Sequence, residues 1–111
     1  MSGELSRVVD LAVDSLIARD ARALVPRLQE LAMADAGELY AELLGLILSL
    51  ADSWTDDALP EVDALGNPCA RQIVAAIRTR NVANLQSVVG GDFGEVVTRL
   101  LATAAVLTVR R

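Results

Sequence analysis

A chain of 111 residues that is 53% hydrophobic but only 3% aromatic, with a formal net charge of −5 and no histidine, is one domain by size and long enough to bury a single aliphatic core. The missing histidine excludes Ser–His and Cys–His nucleophilic sites, histidine general bases and histidine metal ligands together. All ten basic residues are arginine, and they are unevenly placed: residues 1–70 hold 4 Arg against 13 acids, and residues 71–111 hold 6 Arg against 2.

The first predicted helix covers residues 3–18, because Leu5, Val8, Val9, Ala12, Val13, Leu16 and Ile17 recur at spacings of three and four. Arg7, Asp10 and Asp14 take the other side and read as a solvated face rather than half of a metal site. Asp20 is placed to cap a second helix carrying Leu24, Val25, Leu28 and Leu31. Pro26, at the sixth position of that helix, removes a hydrogen bond and clashes with the preceding turn, which predicts a kink or a restart near Val25.

After a short turn at Met33 and Ala34 comes the stretch Asp35 to Trp54. Asp35, three residues before Glu38, approximates a capping box with Asp in place of Ser or Thr. At 100° per residue its apolar side chains, from Leu39 to Ala51, fill an arc of roughly 200°, wider than a surface helix needs, so this helix is expected to be the hub of the fold. Its remaining strip holds Glu38, Glu42, Gly45, Ser49 and Asp52, where small residues would let another backbone approach. The short connections imply antiparallel neighbours.

Residues 55–66 are an acidic connector. Asp56, Asp57, Glu61 and Asp63 read as a solvated surface, since the segment lacks the ligand order of a calcium loop. Pro60 is placed in the first turn of a short helix ending at Gly66. Asn67 and Pro68 then predict a helix start, with Asn as cap and Pro at the first position. Ala70, Ile73, Val74 and Ile77 form its apolar side, with Arg71 and Arg78 together on the other. Asn81 caps a short helix through Val82, Leu85, Val88 and Val89, which Gly90 and Gly91 stop. Asp92 and Glu95 open a last helix running to about Thr108.

The longest apolar runs, 43–51 and 100–109, fall short of the ~20 residues a membrane-spanning helix needs. Glu4, Arg7 and Asp10 stand where a signal peptide would be apolar, so a cytoplasmic location is expected. Cys69 is the single cysteine and reads as a small buried apolar residue. The glycine-rich run Gly90-Gly91-Asp92-Phe93-Gly94 lacks the Lys and hydroxyl of a phosphate loop.

Residues 35–51 align with residues 92–108 at a constant shift of 57. Asp35/Asp92, Gly37/Gly94, Glu38/Glu95, Leu43/Leu100, Leu44/Leu101 and Leu50/Leu107 are identical. Upstream, after a four-residue gap, Arg19, Asp20 and Leu24 match Arg80, Asn81 and Leu85. The expected fold is therefore all-α: one domain, a compact bundle of five to six helices, with two similar three-helix halves, 1–54 and 67–111, related by a pseudo-twofold axis. The polar strip of the first copy, Glu38, Glu42, Gly45 and Ser49, becomes Glu95, Arg99, Ala102 and Val106 in the second, so the hub is expected to be two related helices, the second either the more buried or the one that meets another subunit. Glu42 and Arg99 are expected to pair where the two helices cross.

No catalytic residue, metal or cofactor is expected. Trp54 is a partner-contact candidate because tryptophan is enriched in binding hot spots, although it also suits a plug at the bundle end. Arg71 and Arg78 belong to the only basic cluster, with Arg80. No aromatic residue lies among them and the chain is net acidic, so a protein partner is expected and nucleic acid is not. Arg99, Val106 and Val109 are candidates on the last helix. The expected function is a non-catalytic interaction or regulatory module acting as a homodimer through apolar helix faces. The alternative is a carrier with an apolar ligand between Leu43, Ile47, Leu101 and Val106. A carboxylate-dependent enzyme ranks last, because the acids sit at caps, on polar faces or in the connector.

Overall fold

In the computed structural model, which describes residues 2–55 and 57–109, four of the five predicted caps, Asp20, Asp35, Asn81 and Asp92, open a helix at their expected place. The described residues form six helices and no strand: α1 (Ser2–Ala18), α2 (Ala21–Ala32), α3 (Ala36–Ala51), α4 (Ala70–Arg78), α5 (Val82–Val89) and α6 (Phe93–Val109). Asp20 accepts from the Ala23 amide, Asp35 from Glu38, Asn81 from Asn84 and Asp92 from Glu95, at 2.8–3.2 Å. Each bond satisfies one of the amides that a helix start leaves without an intrahelical partner.

α6 is the hub. Its residues Leu100 to Leu107 are buried in unbroken succession, and it packs against α1, α3, α4 and α5. This agrees with the loss of the polar strip in the second copy; α3, whose wide apolar arc pointed to a hub, buries the single stripe Leu39, Leu43, Ile47 and Ala51 and leaves Leu48 exposed. Width of an apolar arc measures how many neighbours a helix could accept. Which of two similar helices is surrounded depends on where the others go, and α1 and α4 pack on α6 and α3 alike while α5 closes over α6. The small residues of the α3 strip do not admit a backbone: a Cβ added at Gly45 would meet nothing within 4 Å.

The corners joining α1 to α2 and α4 to α5 are built alike. Arg19 (φ 56°) and Arg80 (φ 55°) both take the left-handed conformation. Around them the amides of Asp20 and Asn81 bond the carbonyls of Ser15 and Ala76, both at 3.0 Å, and those of Arg19 and Arg80 bond Leu16 and Ile77, both at 3.1 Å. This is the Schellman closure, with arginine where glycine is usual. Exchanging the halves turns the α1–α6 packing into the α4–α3 packing, and both are present. An internal repeat would produce this geometry.

Three local expectations differ from the structure. α2 runs uninterrupted through Pro26, so there is no restart. Pro26 and its neighbour Val25 are exposed, so the carbonyl that loses its amide partner lies on the solvent side of a helix that packs mainly on α1. The connector contains no helix between its described residues 57 and 66. Its backbone is bent instead around Asp63, whose amide bonds the Asn67 carbonyl. For the same reason α4 starts at Ala70 rather than at Pro68: Asn67 is spent on that loop, and Cys69 stands at the N-cap without a side-chain bond to the helix amides. The Cα radius of gyration is 12.8 Å, against about 13 Å for a compact domain of this length. Among the described residues no helix is long and apolar enough to cross a membrane.

Candidate functional site

Three of the arginines singled out in the sequence, Arg71, Arg78 and Arg99, reach backbone carbonyls of their own chain. Arg78, on α4, donates to the carbonyl of Ala51 and, at 2.9 Å, to that of Trp54, which ties α4 to the end of α3. Arg71, seven residues earlier on the same face, donates to the Leu59 carbonyl at 2.8 Å and pairs with Glu61 at 3.3 Å. The connector is thus pinned along α4 at two points. Arg99, on α6, donates to the Val88 carbonyl in the last turn of α5 at 2.9 Å and pairs with Glu95 at 3.2 Å. A guanidinium at a helix C-terminus complements both the open carbonyls and the negative end of the dipole. Arg80 remains exposed.

Glu42 and Arg99 do not pair. Glu42 lines a groove between α1 and α3 beside Leu5, Asp10 and Glu38, whereas Arg99 faces Cys69 and Asn84 beside α4 and α5. The crossing of α3 and α6 places these two side chains on different sides of the bundle. Trp54 is half-buried against the core, and its Nε1 is enclosed with no hydrogen-bond partner among the described residues.

Asp63 is not a solvated acid. It is 3% exposed, and its carboxylate accepts from the amides of Leu65 (2.8 Å) and Asn67 (3.0 Å) and from the Cys69 thiol (Sγ···Oδ2 3.8 Å). Asp57 and Glu61 are exposed as expected, and Asp56 lies outside the described residues. Burial pushes the Cys69 thiol above its ordinary value of 9.0, and the Asp63 charge pushes it the same way, with Arg99 opposing. The thiol is therefore protonated at neutral pH and acts as a donor to Asp63. Among the described residues no three Cys, Asp or Glu side chains are gathered to hold a metal ion.

The expected cavity between Leu43, Ile47, Leu101 and Val106 is filled: all four are core side chains, at most 5% exposed. Open space lies elsewhere. A cleft of ≈ 470 Å³ separates α5 from α3 and α6, lined by Tyr40, Leu44, Leu85, Val89, Val96 and Leu100. A larger groove of ≈ 750 Å³ lies where the α1–α2 corner, the connector at 63–66 and the end of α6 meet. Val109 (59% exposed), Leu65 (53%) and Ile17 (36%) line it, over Leu24 and the buried Val106.

Of the candidate contacts, the structure thus brings Val106 and Val109 together at one groove, and places Trp54, Arg71, Arg78 and Arg99 elsewhere. Ile17 and Leu65 were not singled out as contacts. Ile17 closes the periodic face of the first helix at its last turn, where an apolar face outlasts its covering. Leu65, an isolated apolar residue before Gly66 in a polar segment, was the other available signal. No protein-family model matches this chain, and neither a curated protein nor a solved structure is significantly similar to it.

Proposed function

We propose that this all-α protein is a non-catalytic interaction module that works as a homodimer. The observation that carries this reading is the convergence of exposed apolar side chains, Ile17, Leu65 and Val109, around one groove. Large apolar side chains gathered at one surface mark an association site more than scattered ones do. Polar side chains that hold the fold support the same reading: four capping side chains bond amides, Asp63 bonds the connector, and three arginines bond carbonyls. Size-exclusion chromatography with light scattering across micromolar concentrations tests it. A mass near twice 11.8 kDa is expected, and a monomer throughout the range overturns the homodimer.

The cleft beside α5 favours a second reading, a carrier of a small apolar ligand. Its walls are aliphatic, with the Tyr40 ring against Phe93 at 5.7 Å, and Val82 stands exposed beside it. Mass spectrometry of the purified protein under native conditions distinguishes the two. A bound apolar molecule of constant mass supports the carrier, and a ligand-free dimer supports the module.

A further inference from the structure

We infer that the groove at the α1–α2 corner is the face on which a second copy of this chain seats, across a twofold axis that brings Arg19 of one copy to Asp20 of the other. This inference rests on the homodimer reading and names its surface.

The first line of support comes from the two matched corners. In the α4–α5 corner, two residues before the left-handed Arg80, Arg78 reaches the end of α3 and joins the corner to it through the Ala51 and Trp54 carbonyls. Two residues before Arg19, the α1–α2 corner has Ile17. Ile17 offers no donor, and in place of that tie the structure has an open groove between the corner and the end of α6. One corner is thus joined to its neighbouring helix end by polar bonds. The other presents an apolar floor at the corresponding place.

The second line is charge. On the rim, Arg19 makes no side-chain hydrogen bond or ion pair among the described residues. Its neighbour Asp20 uses Oδ1 for the Ala23 amide and keeps Oδ2 without a partner. A cation and a carboxylate side by side at the edge of one apolar patch are self-complementary: a twofold rotation sets each against its opposite and puts Val109, Leu65 and Ile17 of both copies together. An unlike partner would need only one of these charges matched. A second copy matches both at once.

The test measures the dimer dissociation constant of the full chain by sedimentation or light scattering, with circular dichroism confirming the fold of each variant. Val109→Glu and Arg19→Glu are each expected to weaken the dimer by at least about tenfold. Met33→Glu and Val82→Glu, which alter exposed apolar residues outside this groove, are expected to leave it unchanged. Arg19→Glu mixed with Asp20→Arg is expected to form a heterodimer tighter than either variant forms alone, because both cross-axis pairs are then restored. A wild-type dimer that Val109→Glu and Arg19→Glu leave intact overturns this face while the homodimer stands. Loss of the dimer in Val82→Glu with no effect of Val109→Glu moves the interface to the α5 side and also overturns it. A wild-type monomer overturns both proposals.

Discussion

Asp63 shows how much one side chain can organise. A buried carboxylate is costly unless its oxygens are bonded, and here two amides and a thiol supply the donors. With Asp63 in place the chain turns back between residues 63 and 67, and the Ala64 amide reaches the Ala102 carbonyl on α6 at 3.1 Å. Replacing Asp63 by alanine strands those donors, and a loss of about 3 kcal/mol is expected in urea unfolding, near the upper end for a buried charged acceptor. Cys69 adds a pH dependence. Its folded value lies above 9.0, so below 9.0 the thiol is protonated in both states and costs nothing. As pH rises through 9.0 the unfolded chain releases the proton first, and stability falls until the folded thiol also titrates. Cys69→Ala is expected to be less stable at neutral pH yet to lose less stability across that alkaline window, measured by thermal unfolding at a series of pH values. Neither role was legible from residue type. An acid in an acidic run reads as solvated, and only the loop geometry shows that Asp63 points inward.

At the level of elements, helix starts were legible and helix environments were not. Asp20, Asp35, Asn81 and Asp92 announce their helices because a cap is a local bond, formed within four residues whatever the rest of the chain does. The Asn67-Pro68 signal lost to a competing local loop, since the Asn67 carbonyl and amide are both taken by Asp63. The expected restart at Pro26 is absent, because an exposed face of a short helix tolerates one missing bond. The corners offer a direct test of backbone strain. A β-carbon in the left-handed region costs roughly 1 kcal/mol, which glycine avoids. Arg80→Gly is therefore expected to raise stability by up to about 1 kcal/mol in chemical denaturation, provided the arginine side chain contributes nothing at its exposed position. A decrease would show that the Arg80 side chain contributes more than the strain costs.

Taken whole, the molecule is four helices, α1, α3, α4 and α5, gathered round α6, with α2 packed on α1. The all-α class followed from periodicity, and the candidate pair α3 and α6 followed from the repeated D-x-G-E start. Between them the sequence carries two signals, the wide apolar arc of α3, which points to a hub there, and the lost polar strip of α6, which points to deeper burial or to contact with another subunit, and the burial of Leu100 to Leu107 follows the second. The groove was legible only in part: Val106 and Val109 lie on the last helix, while Ile17 and Leu65 join them only through the fold of the corner and the connector. If α6 is the shared core, one deletion there should be felt everywhere. Leu101→Ala is expected to cost about 3–5 kcal/mol, against less than about 0.5–1 kcal/mol for Leu48→Ala on the exposed side of α3. Trp54 fluorescence, which reports the end of α3, and circular dichroism, which reports all helices, should shift together in Leu101→Ala. Separate transitions would divide the chain into two bodies.

The unbroken burial of Leu100 to Leu107 also sets an order of events during synthesis. Every other described helix precedes α6 in the chain, and α1, α3, α4 and α5 each lack a packed face until it arrives. The α1–α2 corner can close early because its bonds are local. The core cannot, since the residue pairs that fill it join α6 to partners as far back as α1. A ribosome-bound chain halted before residue 93 would thus carry formed corners and an exposed apolar surface, and would depend on whatever shields such surfaces until the final helix emerges.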